Sequence, residues 1–522
     1  MLSLPAFQEA DYHKNRENKT AEVIHIPNAE PASFDAYVAH FLSLGFSIKE
    51  AYQNGVHRYT ALQKENLGVF LNYFEAIREL YIAVDEDCHY FSYTDVGGTA
   101  RVSPQITQIA LEGGFGISYV IRLSDGRFIV IDGGWNYEPD QDRLFAALKE
   151  GSPDEIPVIA AWILTHPHAD HYHCFIGFYD RYASQVKIEK FMLLFPEPDD
   201  YEHYPKFADT VISHGYDVSV GVNIPKMWER IHQSGAAVYT PHTGQRYRIG
   251  DAACQILATM DDTVHDSQKV NAISLVIRME LAGQTILWTT DASFDFAKLP
   301  EKYGSYLKAD ILQIPHHGFQ CGSADAEIRG YDLIRPRVCF MSVSNYDAFY
   351  MFCIHRDGTR HLLRDCNVEE LIVGEPQRTV TLPYSPRSCG KEELRRSIES
   401  GMDATGSEAW IFTDLNTSCP EDFRFTILNM TNTPAPVRVD VYFEEKPQRI
   451  NNIKIEARPL ALMKINLTTD EEAGELDSVL SVYLKRKELP ENTTFALRFL
   501  SPIPIVVTNA SHTPAHCSGA HR

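Results

Sequence analysis

Apolar and polar positions alternate differently along three stretches of the chain. Phe34, Tyr37, Val38, Phe41 and Leu42 recur at three- and four-residue spacing, which predicts a helix. HRYTALQKE, LGVFLNYFEA and ELYIAVDE then alternate with turn residues between them, which predicts strands of a small α+β module ending near Asp95. The polar first thirty residues read as an arm. The second stretch opens with QITQIALE and ISYVIRLSDGRFIVIDGGW, where Ser124-Asp125-Gly126 between two alternating runs signals a hairpin. Strand and helix patterns alternate from there to about Pro383, and EELRRSIESGMDATGS reads as a charged helix followed by a Gly/Ser linker. In the third stretch FRFTILNM, VRVDVYFEE, INNIKIEA, ALMKINL, FALRFLS and IPIVVTN are short alternating runs with the spacing of a β-sandwich. The expected organisation is an N-terminal arm and accessory module over 1–97, a central domain over 98–385, a linker over 386–405 and an all-β domain over 406–522.

Composition narrows the partners. With 70 acidic against 48 basic residues the formal net charge is −22, which repels polyanions and disfavours a long nucleic acid. No apolar run reaches the roughly 20 residues that cross a bilayer, and the first twenty residues lack a basic segment followed by an apolar core. The ten cysteines are scattered from Cys88 to Cys517 without a CxxC pair, as expected of reduced core residues. The expectation is a soluble cytoplasmic protein.

Candidate chemistry concentrates in ILTHPHADHYH, residues 163–173. The apolar residues 161–164 predict a buried strand, so Thr165 opens the loop at its carboxyl end, where open α/β architectures bind ligands. His166 and His168, two apart, can point the same way from an extended loop. Asp170 and His171 are adjacent and diverge, so they can serve a second ion nearby. Two metals about 3.5–4 Å apart can share a hydroxide that is nucleophilic at neutral pH.

The His-x-His-x-Asp-His pattern resembles that of the metallo-β-lactamase fold hydrolases, and further motifs follow in the family's order. FIVIDGGW ends at Asp132, Gly133 and Gly134 and matches the first family motif; the resemblance implies that Asp132 stands behind a histidine ligand as an acceptor. TILWTTDAS brings Asp291, the implied bridging carboxylate. ADILQIPHHGF brings His316 and His317, of which one is implied to bind metal, with His317 the preferred ligand and His316 left to face substrate or leaving group. The resemblance covers about residues 100–383 and implies an α+β fold, a metallo-β-lactamase αββα sandwich, holding two divalent ions: zinc first, manganese or iron as alternatives. Many members carry a third histidine for the first ion between the second motif and the bridging Asp. Here the stretch reads HDSQKVNAISLVIR, similar to the branch of DNA-uptake channel hydrolase domains and phosphorylcholine esterases, with Asn271 near that position and His265 as the other candidate.

The expected activity is binuclear metal-dependent hydrolysis of a small ester-like substrate by a metal-bridged hydroxide, with a phosphodiester favoured because two metals neutralise its non-bridging oxygens. Asp170, His316 and Asp132 are the expected catalytic residues. A lactone, thioester or amide hydrolase on the same site is the alternative, as is a non-catalytic metal-binding scaffold. Tyr201, His203 and Tyr204 could line the pocket mouth or simply pack a surface cover; His355 and Arg356 read as a packed strand and turn. The last domain resembles the sensory rhodopsin transducer family, which implies a soluble oligomerising or ligand-binding module with no catalytic set of its own; homo-oligomerisation through the sandwich is the expectation.

Overall fold

The computed structural model describes residues 13–16, 21–88, 95, 97–194, 220–263, 270–319, 322–343, 357–366, 368–374, 377–386, 407–416, 424–429, 431, 434–443, 449–457, 461–466, 494–509 and 515–516. His265, Tyr201, His203, Tyr204, His355, Arg356 and the expected charged helix before the sandwich lie outside them. The chain forms two compact units: Met1–Ser344 with Arg356–Leu362 and Ile372–Tyr384, and Asn345–His355 with Leu363–Leu371 and Ser385–Arg522. The accessory module and the central domain share the first unit.

The accessory module is a six-stranded antiparallel sheet in the order His13–Arg16, Ala21–Ile26, Glu79–Asp85, Leu67–Phe74, His57–Lys64, Ser47–Asn54. The polar arm expected over the first thirty residues is therefore corrected in part. Ala21–Ile26 is an inner strand in which Val23, Ile24 and Ile26 are buried. Its apolar residues lie on both faces of the sheet, so the run lacks the one-sided alternation that marks a surface strand. Helix Pro31–Ser43, opened by Pro31 at a position that needs no N–H, lays Phe34, Tyr37 and Phe41 over one face against Leu62, Val69, Leu71 and Ile82.

The opposite face packs on the central domain. Phe70 stacks on His242 at 4.5 Å, Asn72 Nδ2 donates to Thr243 O at 2.8 Å, and Tyr52 Oη donates to Gly244 O at 2.5 Å. Fully buried His242 lies between Asp85 Oδ2 at 3.1 Å and Asp261 at 3.2 Å, and beside it Lys302 Nζ donates to Asp262 Oδ1 at 2.5 Å. Burial by itself would lower the His242 pKa, but Asp261 and Asp85 outweigh it and push it up to about 10. A raised pKa means a contribution to stability that is complete below the unfolded value near 6.5 and is lost as pH climbs toward 10. The melting temperature of wild type should exceed that of His242→Gln by several degrees at pH 6, and the gap should close between pH 7 and 10. A gap of constant size across that range would show that the imidazole is neutral in the clasp.

The central domain is built on two sheets face to face. The eight-stranded one includes the neighbours Gln105–Gln108, Ser118–Arg122, Phe128–Asp132 and Val158–Ile163, the last two parallel. The seven-stranded one includes Ala252–Ala258, Val276–Leu281, Gln284–Trp288, Ile311–Gln313 and Val338–Met341, the last three parallel. Ile121, Ile129, Ile131 and Ile163 of the first meet Ile256, Ile277, Ile286, Trp288 and Phe340 of the second in the inner core. On the outer face of the first sheet, Val130 and Trp162 pack with Leu144 and Leu148 of helix Glu138–Gly151 and with Phe175 and Phe178 of helix Ala169–Tyr182. Two sheets sandwiched with helices match the expected α+β architecture.

In the second unit seven strands form one antiparallel set. FALRFLS and IPIVVTN, read separately from sequence, are one strand, Thr494–Asn509. Its first half pairs with Ser407–Asn416 and Ala435–Phe443, its second half with Arg424–Asn429. Pro502 and Pro504 fall in the bulge between the two pairings, where the ladder needs no N–H from them. Among the described residues no helix is long and apolar enough to cross a membrane.

Candidate metal centre

The centre lies where strands of both sheets end. Asp132 is the last residue of Phe128–Asp132; His166, His168, Asp170 and His171 follow Val158–Ile163, with Asp170 and His171 in the first turn of helix Ala169–Tyr182. Asp291 follows Gln284–Trp288, and His316 and His317 follow Ile311–Gln313. At these strand ends Asp132, Thr290, His316 and His317 all adopt left-handed backbone, φ 56°, 48°, 49° and 57°. For residues with a Cβ each such conformation costs on the order of 1–3 kcal/mol and persists only where the surroundings enforce it, commonly at ligand sites.

Glycine is required where the chain crosses behind the centre. Gly134, φ 85°, donates its N–H to His171 O at 3.0 Å, and a Cβ there would stand 2.6 Å from Leu111 Cδ2. Its carbonyl accepts from Cys174 N at 2.9 Å, so the Asp132-Gly133-Gly134 turn is bonded to the helix that carries Asp170 and His171.

The donor atoms converge in two groups that share one carboxylate. Ligand atoms of Asp170, His171, Asp291 and His317 lie within 4.8 Å of one another, and so do those of His166, His168 and Asp291. Asp291 Oδ2 stands 3.2 Å from His171 Nε2 and 3.7 Å from His166 Nε2, while Oδ1 stands 3.4 Å from His317 Nε2. His317 Nε2 is also 3.1 Å from Asp170 Oδ2, and His166 Nε2 is 3.0 Å from His168 Nδ1. His171 Nε2, His317 Nε2 and Asp291 Oδ1 are buried yet make no well-formed hydrogen bond among the described residues. Such orphaned atoms are rare in folded proteins and call for a partner. A cation satisfies imidazole and carboxylate lone pairs together, so the residues fit divalent metal.

The electrostatics agree. Burial holds His166 well below the ordinary histidine value and His168 at about 4, which keeps both neutral with a lone pair to give. Burial would do the same to His171 and His317, but Asp291, Asp170 and, for His171, Asp132 outweigh it, raising His317 to about 9 and His171 well above its usual value. In the absence of metal, protons on these two rings offset part of the buried negative charge of Asp170 and Asp291. For Asp170, burial works upward, and His171 and His317 prevail to hold it at about 2.

Asp132 sits where the sequence puts it, behind a histidine. It accepts from His171 Nδ1 at 2.7 Å, from Thr165 Oγ1 at 2.7 Å and from Thr165 N at 2.8 Å. With Nδ1 donating, His171 turns Nε2 toward Asp291. His316 falls outside both donor groups: its Nε2 is 3.9 Å from Asp291 Oδ2, and its side chain is 25% exposed. Asn271 stands against His316, with its Nδ2 3.0 Å from the ring's Nε2. Two supporting residues escape a motif reading. Thr165 locks Asp132, and Gln313, fully buried, accepts from Thr290 N at 2.5 Å and donates to Thr290 O at 3.2 Å, fixing the turn that presents Asp291. A polar residue inside the apolar run ADILQIP is the signal that could have found Gln313.

The sequence model of the Metallo-beta-lactamase superfamily matches residues 111–244, a span that runs through Asp132 and the His166–His171 cluster. The chain carries a metallo-beta-lactamase domain. The reading of a metal-dependent hydrolase of this superfamily agrees with that match. No curated protein sequence matches the chain. Among solved structures, the metallo-beta-lactamase fold protein YhfI from Bacillus subtilis is 16% identical and aligns over 53% of this chain and 99% of its own, with a TM-score of 0.33. Igni18, a metallo hydrolase from Ignicoccus hospitalis, is 13% identical over 54% and 100%, TM-score 0.31. An Anabaena sensory rhodopsin transducer is 19% identical over 20% of this chain and 82% of its own, TM-score 0.16.

Proposed function

We propose that the metallo-beta-lactamase domain is a binuclear hydrolase of a small ester-like substrate, most readily a phosphodiester. The observation that carries the reading is the pair of buried donor groups sharing Asp291. In this reading His166, His168 and Asp291 hold the first ion, and Asp170, His171, Asp291 and His317 hold the second. A nitrogen and oxygen donor set without cysteine suits zinc and also admits manganese or iron. When bound, the two ions supply positive charge to the substrate's oxygens and acidity to a water. The protein's part is orientation. Asp132 fixes the His171 ring, the carboxylate of Asp170 sits at the second donor group, and the partly exposed His316 is left to face substrate or leaving group. Among the described residues the first donor group has one protein ligand fewer than many relatives of the pattern; on that count the first ion is the more easily removed, so chelator should release the metals in two phases.

The remaining domains belong to the same reading. The accessory module is a brace for the central domain rather than a second catalytic unit, and the C-terminal strands set homo-oligomerisation in a cytoplasmic protein whose described cysteines are buried. Light scattering of the full chain reads that assembly directly, and a monomer would remove it.

The test of the function joins two measurements. Protein purified without chelator should contain close to two transition-metal ions per chain. A panel of phosphodiesters, phosphonates, lactones and thioesters should give metal-dependent turnover, greatest with a phosphodiester. A metal-free chain under replete conditions would overturn the hydrolase reading, and turnover confined to lactones or thioesters would move the substrate class.

A further inference from the structure

We infer that Asn271 is a positioning residue for His316, fixing that ring beside the metal centre. The inference rests on the reading that His316 faces substrate. His316 and His317 are consecutive residues in left-handed backbone, at φ 49°, ψ 46° and φ 57°, ψ 5°, and their rings diverge, with planes 49° apart and centroids 5.8 Å apart. His317 is held by two carboxylates, at 3.1 and 3.4 Å. Among the described residues His316 has no such grip: Asp291 Oδ2 is 3.9 Å away, beyond hydrogen-bond reach, and the Phe319 ring lies 5.6 Å off. The contact at hydrogen-bond distance is with Asn271, whose amide Nδ2 is 3.0 Å from Nε2. Turning that amide over would let Oδ1 accept from a protonated Nε2 instead, so the restraint survives either assignment.

Asn271 is itself set on a firm frame. It lies in the short 3-10 helix Val270–Ile273, whose Val270, Ala272 and Ile273 are buried. Its carbonyl accepts from Ser274 N at 3.2 Å, and Leu275 N donates to the carbonyl of Thr165, the residue that precedes His166, at 3.2 Å. The same backbone that carries Asn271 is thus bonded to the loop that carries the first donor group. His316 N in turn donates to Thr290 O at 2.8 Å, next to Asp291. Backbone bonds place the two residues, and the Asn271 side chain then selects the direction in which the partly exposed ring points. A ring left free would lose rotamer order at the moment it must meet a substrate.

The experiment compares Asn271→Ala, His316→Ala and the double variant in metal-loaded full-length protein. Four quantities are read: metal content, melting temperature, the Kd of inorganic phosphate by calorimetry, and kcat/KM on bis(p-nitrophenyl) phosphate. Each single variant should keep two ions, melt within a few degrees of wild type, and lose about 10- to 100-fold in kcat/KM. Phosphate affinity should weaken by a similar factor in both. The double variant should be no worse than the poorer single one, because both remove the same action. Multiplying losses in the double variant, an Asn271→Ala chain that has lost an ion, or a His316→Ala chain with unchanged turnover and phosphate affinity would each overturn the inference. If wild type hydrolyses none of the phosphodiester yet binds phosphate, the phosphate Kd values still decide the positioning role, and the hydrolase reading alone fails. If wild type neither hydrolyses the ester nor binds phosphate, both fail.

Discussion

Asp291→Asn should lower turnover by about 100-fold or more and leave the protein folded. Asp291 is 1% exposed, and its two oxygens face His166, His171, His316 and His317, so it is the carboxylate common to both donor groups. Asparagine keeps the shape but replaces one anionic oxygen with an amide N–H, which repels a cation and cannot give it a lone pair. The neighbouring backbone does not depend on the charge, since Thr290 is held by Gln313 and by the carbonyl of Leu275. Metal analysis of the variant should show less than the wild-type content, and circular dichroism should be unchanged. Near-normal turnover with full metal content would remove Asp291 from the site.

Asp132→Asn is expected to have the second-largest effect, divided between stability and metal. The Asp132 side chain accepts three hydrogen bonds with no exposed surface, two from Thr165 and one from His171. An asparagine has a single acceptor oxygen, so at least one of those donors is left unmatched in the interior, and the His171 ring loses the carboxylate that orients it. Breaking such a buried pair costs about 3–5 kcal/mol. Because asparagine tolerates the left-handed backbone at this position nearly as well as aspartate, the change isolates the carboxylate from the strain. The urea midpoint should fall clearly. Metal affinity should drop about 10- to 100-fold, mostly at the ion held by His171. An unchanged midpoint with unchanged affinity would mean that Thr165 and His171 find other acceptors.

Motif spacing and the family resemblance together gathered six candidate donor residues separated by up to about 150 positions, because their motifs follow the ends of short apolar strands. A strand that enters a buried sheet must be apolar, and the polar residue that follows it marks the end with little ambiguity. That is why Asp132, His166, Asp291 and His317 could be named before any coordinates, and why the central domain's α+β class was legible. The elements read wrongly or missed share the opposite property. Ala21–Ile26 and Ser47–Asn54 do not have one apolar face and one polar face in isolation; the first is buried on both sides of its sheet, and the second is an edge strand whose residues are all exposed or half-buried. The division of Thr494–Asn509 into two strands had the same origin, since two prolines look like a break until the bulge that accommodates them is known.

The sequence by itself determined the candidate chemistry of the site: which donor-type side chains occur, in what order, and after which apolar strands. Side-chain type and strand periodicity are local properties, and they survive without knowledge of packing. Tertiary structure alone decided the distances at which the two groups meet Asp291, that His317 Nε2 stands 3.1 Å from Asp170 Oδ2, and that Asn271 stands against His316. Both histidines of one dipeptide have the same local propensity, so nothing in their sequence separates them. The separation comes from two successive left-handed residues, held there by the Thr290 carbonyl and the surrounding sheet ends, which send neighbouring rings to different partners.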